Sequence, residues 1–154
     1  MPKHQPIETI ARGLAIHSGH ALLCRSKEHG YHYLPGGHIE FSEPARIALA
    51  REIKEEIGVG CLVGPLLVTE EQIFEQRGTN RHELTLIFRI DRLELESPDP
   101  DSPPPVPSAE DDIEFVWADL ASVGDLVIYP DSTRAWLASG GGLDDSDGPF
   151  LAGG

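Results

Sequence analysis

The sequence is poor in cysteine and in long apolar runs. Its 154 residues include two cysteines, Cys24 and Cys61, which form no Cys-x-x-Cys pair. A disulfide framework, a zinc ribbon and a dithiol redox site are therefore excluded. No stretch of about 18 apolar residues could span a membrane, and residues 1–6 lack the apolar core of a secretion signal. We expect reduced, mostly buried thiols in a single cytoplasmic domain.

Basic residues are scarce in the second part of the chain. The formal net charge is −14, from 12 basic and 26 acidic residues. After residue 90, only Arg92 and Arg134 are basic, against fifteen acidic residues. Nonspecific binding to nucleic acids or to anionic membranes requires basic patches, so this composition argues against both. A small phosphorylated ligand stays compatible with it, because a bound divalent cation reverses the local field.

Periodicity and turn residues predict a mixed α/β domain. Strands are predicted over residues 7–16, 21–25, 31–34, 60–75, 83–90 and 113–117, and helices over residues 43–57 and 131–139. The first two strands are expected to form a hairpin. Five prolines between residues 98 and 105 exclude regular structure from the loop 97–112. Residues 1–140 are expected to form the domain and the Gly- and Asp-rich residues 141–154 a flexible tail.

The helix over residues 43–57 has signals at both ends. Ser42 is the predicted N-cap, and Pro44 falls in the first turn, where its missing N–H costs nothing. Gly58 follows at the position that favours a left-handed backbone. The residues expected to be buried recur every four positions: Leu49, Ile53 and Ile57.

Three carboxylates of this helix share one side. Glu52, Glu55 and Glu56 lie within about 100° of one another around the helix axis, beside the predicted apolar stripe. Like charges so close together are unfavourable unless cations neutralise them. Oxygen-only ligands suit Mg²⁺ or Mn²⁺, and Mg²⁺ often completes its coordination with substrate phosphates. The pattern therefore suggests a phosphate-handling site; the alternative is an ordinary solvated helix face.

The segment Gly37–Val59 resembles the Nudix box, whose pattern is Gly, five residues, Glu, seven residues, then Arg-Glu-apolar-x-Glu-Glu-x-Gly-apolar. The fixed positions are all matched: Gly37, Glu43, Arg51, Glu52, Ile53, Glu55, Glu56, Gly58 and Val59. The resemblance implies a Nudix α/β/α sandwich, with a mixed curved sheet between helices. It also implies a metal-dependent pyrophosphohydrolase that cleaves a nucleoside diphosphate linked to another group, such as a nucleoside triphosphate or a nucleotide sugar.

The same resemblance implies ligands for Mg²⁺ or Mn²⁺. Glu52, Glu55 and Glu56 would hold the metal, and one of them would act as general base. The Gly37 carbonyl is a further candidate ligand. Many family members recruit one more acidic residue from a late loop, and Glu110 is the best-placed candidate here.

Other residues of the segment have structural roles in the family. Glu43 and Arg51 would pair and brace the loop against the helix. Gly58 would let the helix end sharply.

Five residues outside these sets are candidates for substrate binding. An arginine can pair with a phosphate, and an aromatic ring can stack on a base. The candidates are Arg25, Tyr33, Glu40, Phe74 and Arg81. Ordinary surface or core positions are the alternative for each of them.

Two other functions stay open. A nucleotide-binding Nudix module that does not cut its ligand would usually have a broken box, whereas this one is intact. A purely structural acidic interaction domain would bind no metal.

The substrate class is not indicated by any further motif. The residue patterns by which the family marks ADP-ribose, dinucleoside polyphosphate, NADH and coenzyme A substrates are missing. We expect a small nucleotide-type substrate and a monomer or homodimer.

Overall fold

A computed structural model describes residues 4–97, 99–143 and 151–153. Its elements in chain order are β1 (Glu8–Leu14), β2 (Ile16–His17), β3 (His20–Ser26), β4 (His32–Tyr33), β5 (Gly36–His38), α1 (Ala45–Ile57), β6 (Cys61–Gln76), β7 (Thr79–Leu93), β8 (Ile113–Asp119), a 3₁₀ turn (Val123–Asp125), α2 (Asp131–Ala138) and β9 (Leu151–Gly153). None of the helices in these ranges is both long and apolar enough to cross a membrane.

The strands form two sheets. The larger sheet has the order β5-β1-β7-β6-β9 and is mixed, because β1 runs parallel to β7 but antiparallel to β5. In the smaller sheet, β3 pairs antiparallel with β2, β4 and β8. The predicted mixed α/β fold is confirmed.

The larger sheet is covered on both faces, and each face has its own core. Leu49 and Ile53 of α1 pack with Ala11 of β1 in one cluster. Leu137 of α2 packs with Leu14 of β1 in the other cluster. Full burial of a leucine or isoleucine side chain stabilises the fold by about 1.5–3 kcal/mol. The two clusters therefore hold the sheet between α1 and α2.

Helix α1 begins later than predicted and ends where predicted. Pro44 is its N-cap residue, with φ −62° and ψ 141° and no side-chain cap. The prediction of Ser42 as N-cap is wrong: Ser42 has φ 65° and lies in the preceding turn. Proline disfavours helical geometry at the residue before it, so the helix cannot extend back through Glu43. At the other end Gly58 adopts φ 90° and donates its N–H to the Lys54 carbonyl.

The predicted hairpin of the first two strands is confirmed only next to its turn, where Ile16 pairs with Ala21. Only the short β2 pairs with β3, whereas β1 lies between β5 and β7 in the larger sheet. Ala11 and Leu14 of β1 are fully buried, on opposite faces of the sheet. A strand with apolar residues on both faces is stable in a central position and not in an exposed hairpin.

The described end of the chain contains one short strand. Leu151–Gly153 forms β9, which pairs parallel with Thr69–Glu71 of β6. Gly141 donates its N–H to the Trp136 carbonyl. Strand β6 would otherwise leave backbone groups unpaired at the sheet edge, and β9 satisfies some of them. Residues 144–150 and 154 of the predicted tail lie outside the described residues.

Candidate active site

Glu56 is a buried carboxylate near the end of α1. It is 8% exposed, and its Oε2 atom has no hydrogen-bond partner among the described residues. Burial raises the pKa of Glu56 to about 7; the positive charge of Arg12 and a hydrogen bond from the Gly36 backbone oppose this rise. An acceptor atom buried without a partner is costly, so Glu56 is a site where a cation would be stabilising.

The three helix carboxylates are not equivalent, contrary to the expectation that all lie beside the apolar stripe. Glu56 follows Ile53 by three positions and is buried with it. The side chain of Glu55 is 58% exposed, and that of Glu52 lies between these extremes. The site therefore has one deep carboxylate and two nearer to solvent.

Arg51 holds the two shallower carboxylates and braces the loop before α1. Its Nη1 donates to Glu52 Oε1 at 3.1 Å and to Glu55 Oε1 at 3.3 Å. Its Nε and Nη2 donate to the two Glu43 oxygens at 2.7 and 3.0 Å. The hydrogen bond to Arg51 lowers the pKa of Glu43. Glu40 is exposed, with Oε1 4.0 Å from Arg51 Nη2.

Two glycines of β5 let the backbone pass close to these carboxylates. A Cβ atom on Gly37 would lie 2.6 Å from both Glu52 oxygens. Gly36 has φ 141°, and a Cβ atom there would overlap the Ala11 carbonyl and lie 2.7 Å from Arg12 Cα. Larger residues at either position would displace the backbone or the carboxylate.

The loop over residues 97–112 contacts the end of α1, close to these carboxylates. The Ala109 N–H donates to the backbone carbonyl of Glu56 at 2.8 Å, and Trp117 Nε1 donates to the Pro104 carbonyl at 2.8 Å. The negative charge of Glu110 is among the causes that raise the pKa of Glu56, after burial. The fold thus brings Glu110 near the helix carboxylates.

The donor chemistry of this cluster fits a hard divalent cation. Within the described residues, no three His, Cys, Asp or Glu side chains converge closely enough to hold a metal ion. Arg51 instead supplies the positive charge beside Glu52 and Glu55. The available donors are nevertheless carboxylate oxygens, and Glu56 Oε2 is buried without a partner. Such an oxygen-only set suits Mg²⁺ or Mn²⁺.

A cavity of about 700 Å³ lies on the sheet face that is covered by α2. Alternate residues of β6 and β7 line it, because side chains on one face of a strand recur every second position. These residues are Glu70, Gln72, Phe74, Gln76, Glu83 and Thr85. Tyr31, Tyr33 and Tyr129 supply aromatic walls. A cavity of this size and lining is typical of small-molecule sites.

Only some of the predicted substrate-binding residues lie at this cavity. Tyr33 and Phe74 line it. Arg25 does not, and its Nη1 pairs with Glu114 Oε1 at 2.5 Å. Arg81 is also absent from the lining and makes two hydrogen bonds to Glu8, at 2.9 and 2.7 Å. Both arginines therefore form ion pairs with carboxylates of the protein itself. Glu40 likewise does not line the cavity.

Arg12 and Glu70 are two residues of the cavity that the sequence did not single out. Arg12 lines it, donates to the Leu34 carbonyl at 2.8 Å, and places its guanidinium carbon 5.4 Å from the centre of the Tyr33 ring. Glu70 lies at its floor and is 1% exposed. A signal for Glu70 is present in the sequence: the alternation that buries Val68 places Glu70 on the same face, where an acid is unusual.

Replacing Arg51 by Lys is expected to lower kcat/KM about 10- to 100-fold, because an ammonium group cannot bridge Glu43 and the helix carboxylates together. Steady-state kinetics measure the effect. Arg46→Lys on the same helix is the matched control, since Arg46 contacts the Gly64 carbonyl outside the cluster. Equal losses in both variants would contradict the bracing role of Arg51.

Comparison with known proteins gives a family match. A family model described as NUDIX domain matches residues 8–138. A MutT NUDIX hydrolase from Burkholderia pseudomallei has a similar structure, with a TM-score of 0.66, 24% identity and coverage of 87% of this chain and 98% of that one. A MutT protein from Methanosarcina mazei has a TM-score of 0.67 and 22% identity, covering 88% and 94%. An ADP-ribose pyrophosphatase from Streptococcus suis has a TM-score of 0.59 and 15% identity, covering 97% and 100%. A search of curated proteins gives no significant match.

Proposed function

Because the chain belongs to the NUDIX domain family and is a Nudix hydrolase, we propose that it is a metal-dependent pyrophosphohydrolase of nucleotide-type substrates. The bond cleaved is the pyrophosphate of a nucleoside diphosphate linked to another group. The observation that supports this proposal is the deep carboxylate of Glu56, with one unpartnered oxygen, beside Glu52 and near Glu110. A nucleoside triphosphate and a nucleotide sugar both satisfy this chemistry.

Glu52, Glu55 and Glu56 would hold Mg²⁺ or Mn²⁺, with Glu110 and the Gly37 carbonyl as further candidate ligands. When bound, the cation would neutralise charge on the phosphates and make a water molecule a stronger nucleophile. One of the three helix carboxylates accepts the proton of the attacking water. Attack of that water on phosphorus breaks the P–O bond, so no covalent nucleophile of the protein is required.

Other groups of the chain position the reactants. Arg51 and Glu43 fix the orientation of the helix carboxylates relative to the loop. Arg12 lines the cavity, and its positive charge also lowers the pKa of Glu56. An arginine carries five N–H donors, and the described residues accept one hydrogen bond from Arg12, at the Leu34 carbonyl. The remaining donors suit a phosphate.

The test is hydrolysis of a panel by the purified protein with Mg²⁺ or Mn²⁺. The panel contains nucleoside triphosphates, nucleotide sugars, ADP-ribose and dinucleoside polyphosphates. We expect cleavage of at least one class, with complete loss in EDTA. Nucleotide and metal binding without cleavage across the panel would instead favour a non-catalytic binding module.

Glu110→Gln is expected to weaken Mn²⁺ binding and to lower kcat/KM, each about tenfold, because it removes a negative charge near Glu56. Mn²⁺ titration and steady-state kinetics measure the two effects. Asp111→Asn makes the same change of charge one position along the loop and is expected to alter neither value. Metal affinity and rates at the wild-type level in Glu110→Gln would remove Glu110 from the site.

A further inference from the structure

The cavity on the sheet face covered by α2 carries an excess of negative charge. Its lining includes three carboxylates, Glu70, Glu83 and Asp131, and one guanidinium, Arg12. Carboxylates repel phosphate oxygens and accept hydrogen bonds without donating any when ionised. The floor of the cavity is therefore suited to a part of the ligand that donates hydrogen bonds, and the phosphates belong at the Arg12 end.

Glu70 is the deepest of these carboxylates, and its protein partners are neutral. Thr133 Oγ1 lies 2.8 Å from both carboxylate oxygens, and Ser132 Oγ donates to Oε1 at 3.3 Å. Gln72 Nε2 in turn donates to Ser132 Oγ at 2.9 Å. Two hydroxyl protons leave unused acceptor positions on a carboxylate that can take about four hydrogen bonds. Burial raises the pKa of Glu70, as expected where the described residues supply no ion pair.

The walls above Glu70 are aromatic. Tyr33 and Phe74 line the cavity together with Tyr31 and Tyr129. The rings of Tyr31 and Tyr129 have their centroids 5.3 Å apart, and those of Tyr31 and Tyr33 are 6.0 Å apart. Aromatic side chains bind planar bases by stacking, largely independently of base identity. Selection among bases must therefore come from the polar groups of the cavity.

We propose that this cavity is the base-specificity pocket of the hydrolase, and that Glu70 selects a nucleobase whose edge presents an amino group. Guanine, adenine and cytosine each offer such N–H donors to a carboxylate. Hypoxanthine and uracil place a C–H or a carbonyl oxygen at the corresponding positions, so that only a ring N–H remains to donate to Glu70. The inference rests on the proposed function and adds to it the class of base that the site accepts.

The experiment measures equilibrium binding of nucleoside monophosphates in EDTA, by calorimetry, so that neither metal nor hydrolysis is needed. Two pairs differ at the amino position: GMP against IMP, and CMP against UMP. In the pair that binds more tightly, we expect the amino-bearing nucleotide to bind about 10- to 100-fold better. Glu70→Gln is expected to bring the two affinities close together, because the amide presents a donor as well as an acceptor.

Glu71→Gln is the matched control, because it makes the same change one residue along β6, where the side chain points to the other sheet face. It is expected to keep the wild-type ratio. If Glu70→Gln fails to fold by circular dichroism, Thr133→Val replaces it. That variant keeps the carboxylate but loses the hydroxyl that orients it, and it too is expected to reduce the ratio.

Equal affinities within both pairs would overturn the inference, as would a preference that folded Glu70 and Thr133 variants leave unchanged. Absence of binding by all four nucleotides would overturn it as well. Amino-selective binding without hydrolysis of any substrate would contradict only the proposed function. Hydrolysis without amino selection would contradict only the role of Glu70.

Discussion

Replacing Glu56 by Gln is expected to lower metal-dependent hydrolysis at least about 100-fold and, in the metal-free protein, to raise the melting temperature at pH 8. The loss of activity follows because an amide cannot supply the negative charge of the deep ligand. The gain in stability follows because Glu56 buries an oxygen without a partner. An uncompensated buried charge destabilises the folded state, and a neutral amide of similar shape does not carry that charge.

The sign of the stability effect follows from the raised pKa. Glu56 titrates near 4.5 as a free side chain and at about 7 in the folded protein, so the folded state binds its proton more tightly. The free energy of unfolding therefore decreases as the pH rises from about 4.5 through about 7. The Glu56→Gln variant has no titrating group at this position and would not show this decrease. We expect it to gain about 1–3 kcal/mol at pH 8 and almost nothing at pH 4.5.

Thermal melts in EDTA from pH 4.5 to 8, together with steady-state kinetics, measure both effects. A gain of this size corresponds to a rise of about 2–10 °C for a chain of this length. Glu55→Gln is the control: it is also expected to lose most activity, but its exposed side chain predicts little change in melting temperature. Full turnover in both variants, or equal stabilisation of both, would contradict the assignment of Glu56.

Gly36→Ala is expected to destabilise the protein by about 3–5 kcal/mol and to abolish hydrolysis. The added Cβ would overlap the Ala11 carbonyl, which is backbone and cannot rotate away. Gly36 also has φ 141°, which L-residues with side chains rarely adopt. Relief of the overlap would separate β5 from β1, which pair at Arg12 and Gly36, and would move the Gly36 N–H away from Glu56.

Urea unfolding measures the loss of stability, and Gly19→Ala is the matched control. Gly19 has φ 74°, but a Cβ atom there would meet no atom within 4 Å. That substitution is expected to cost about 1 kcal/mol from backbone strain alone. Similar losses in the two variants would show that the close approach of β5 to β1 does not control stability.

The local part of the site could be predicted from the sequence. Glu52, Glu55 and Glu56 are within five residues of one another, so the helical period alone places them on one side of α1. Gly58 ends the helix for an equally local reason, since glycine adopts the left-handed conformation at little cost. The start of α1 was mispredicted, because Pro44 outweighs the capping preference of Ser42.

Which side chains of the site lie close together, and how deeply each is buried, depends on the tertiary structure. The Ala109 N–H donates to the Glu56 carbonyl and so holds the neighbouring Glu110 near the end of α1. The helical period contains no information about that hydrogen bond. Glu70 becomes the floor of a cavity only because α2 brings Thr133 against β6. Such contacts depend on the packing of elements distant in the chain. The local sequence therefore specifies the helix, its end at Gly58 and the row of carboxylates, whereas long-range packing buries Glu56 and forms the cavity lined by Arg12 and Glu70.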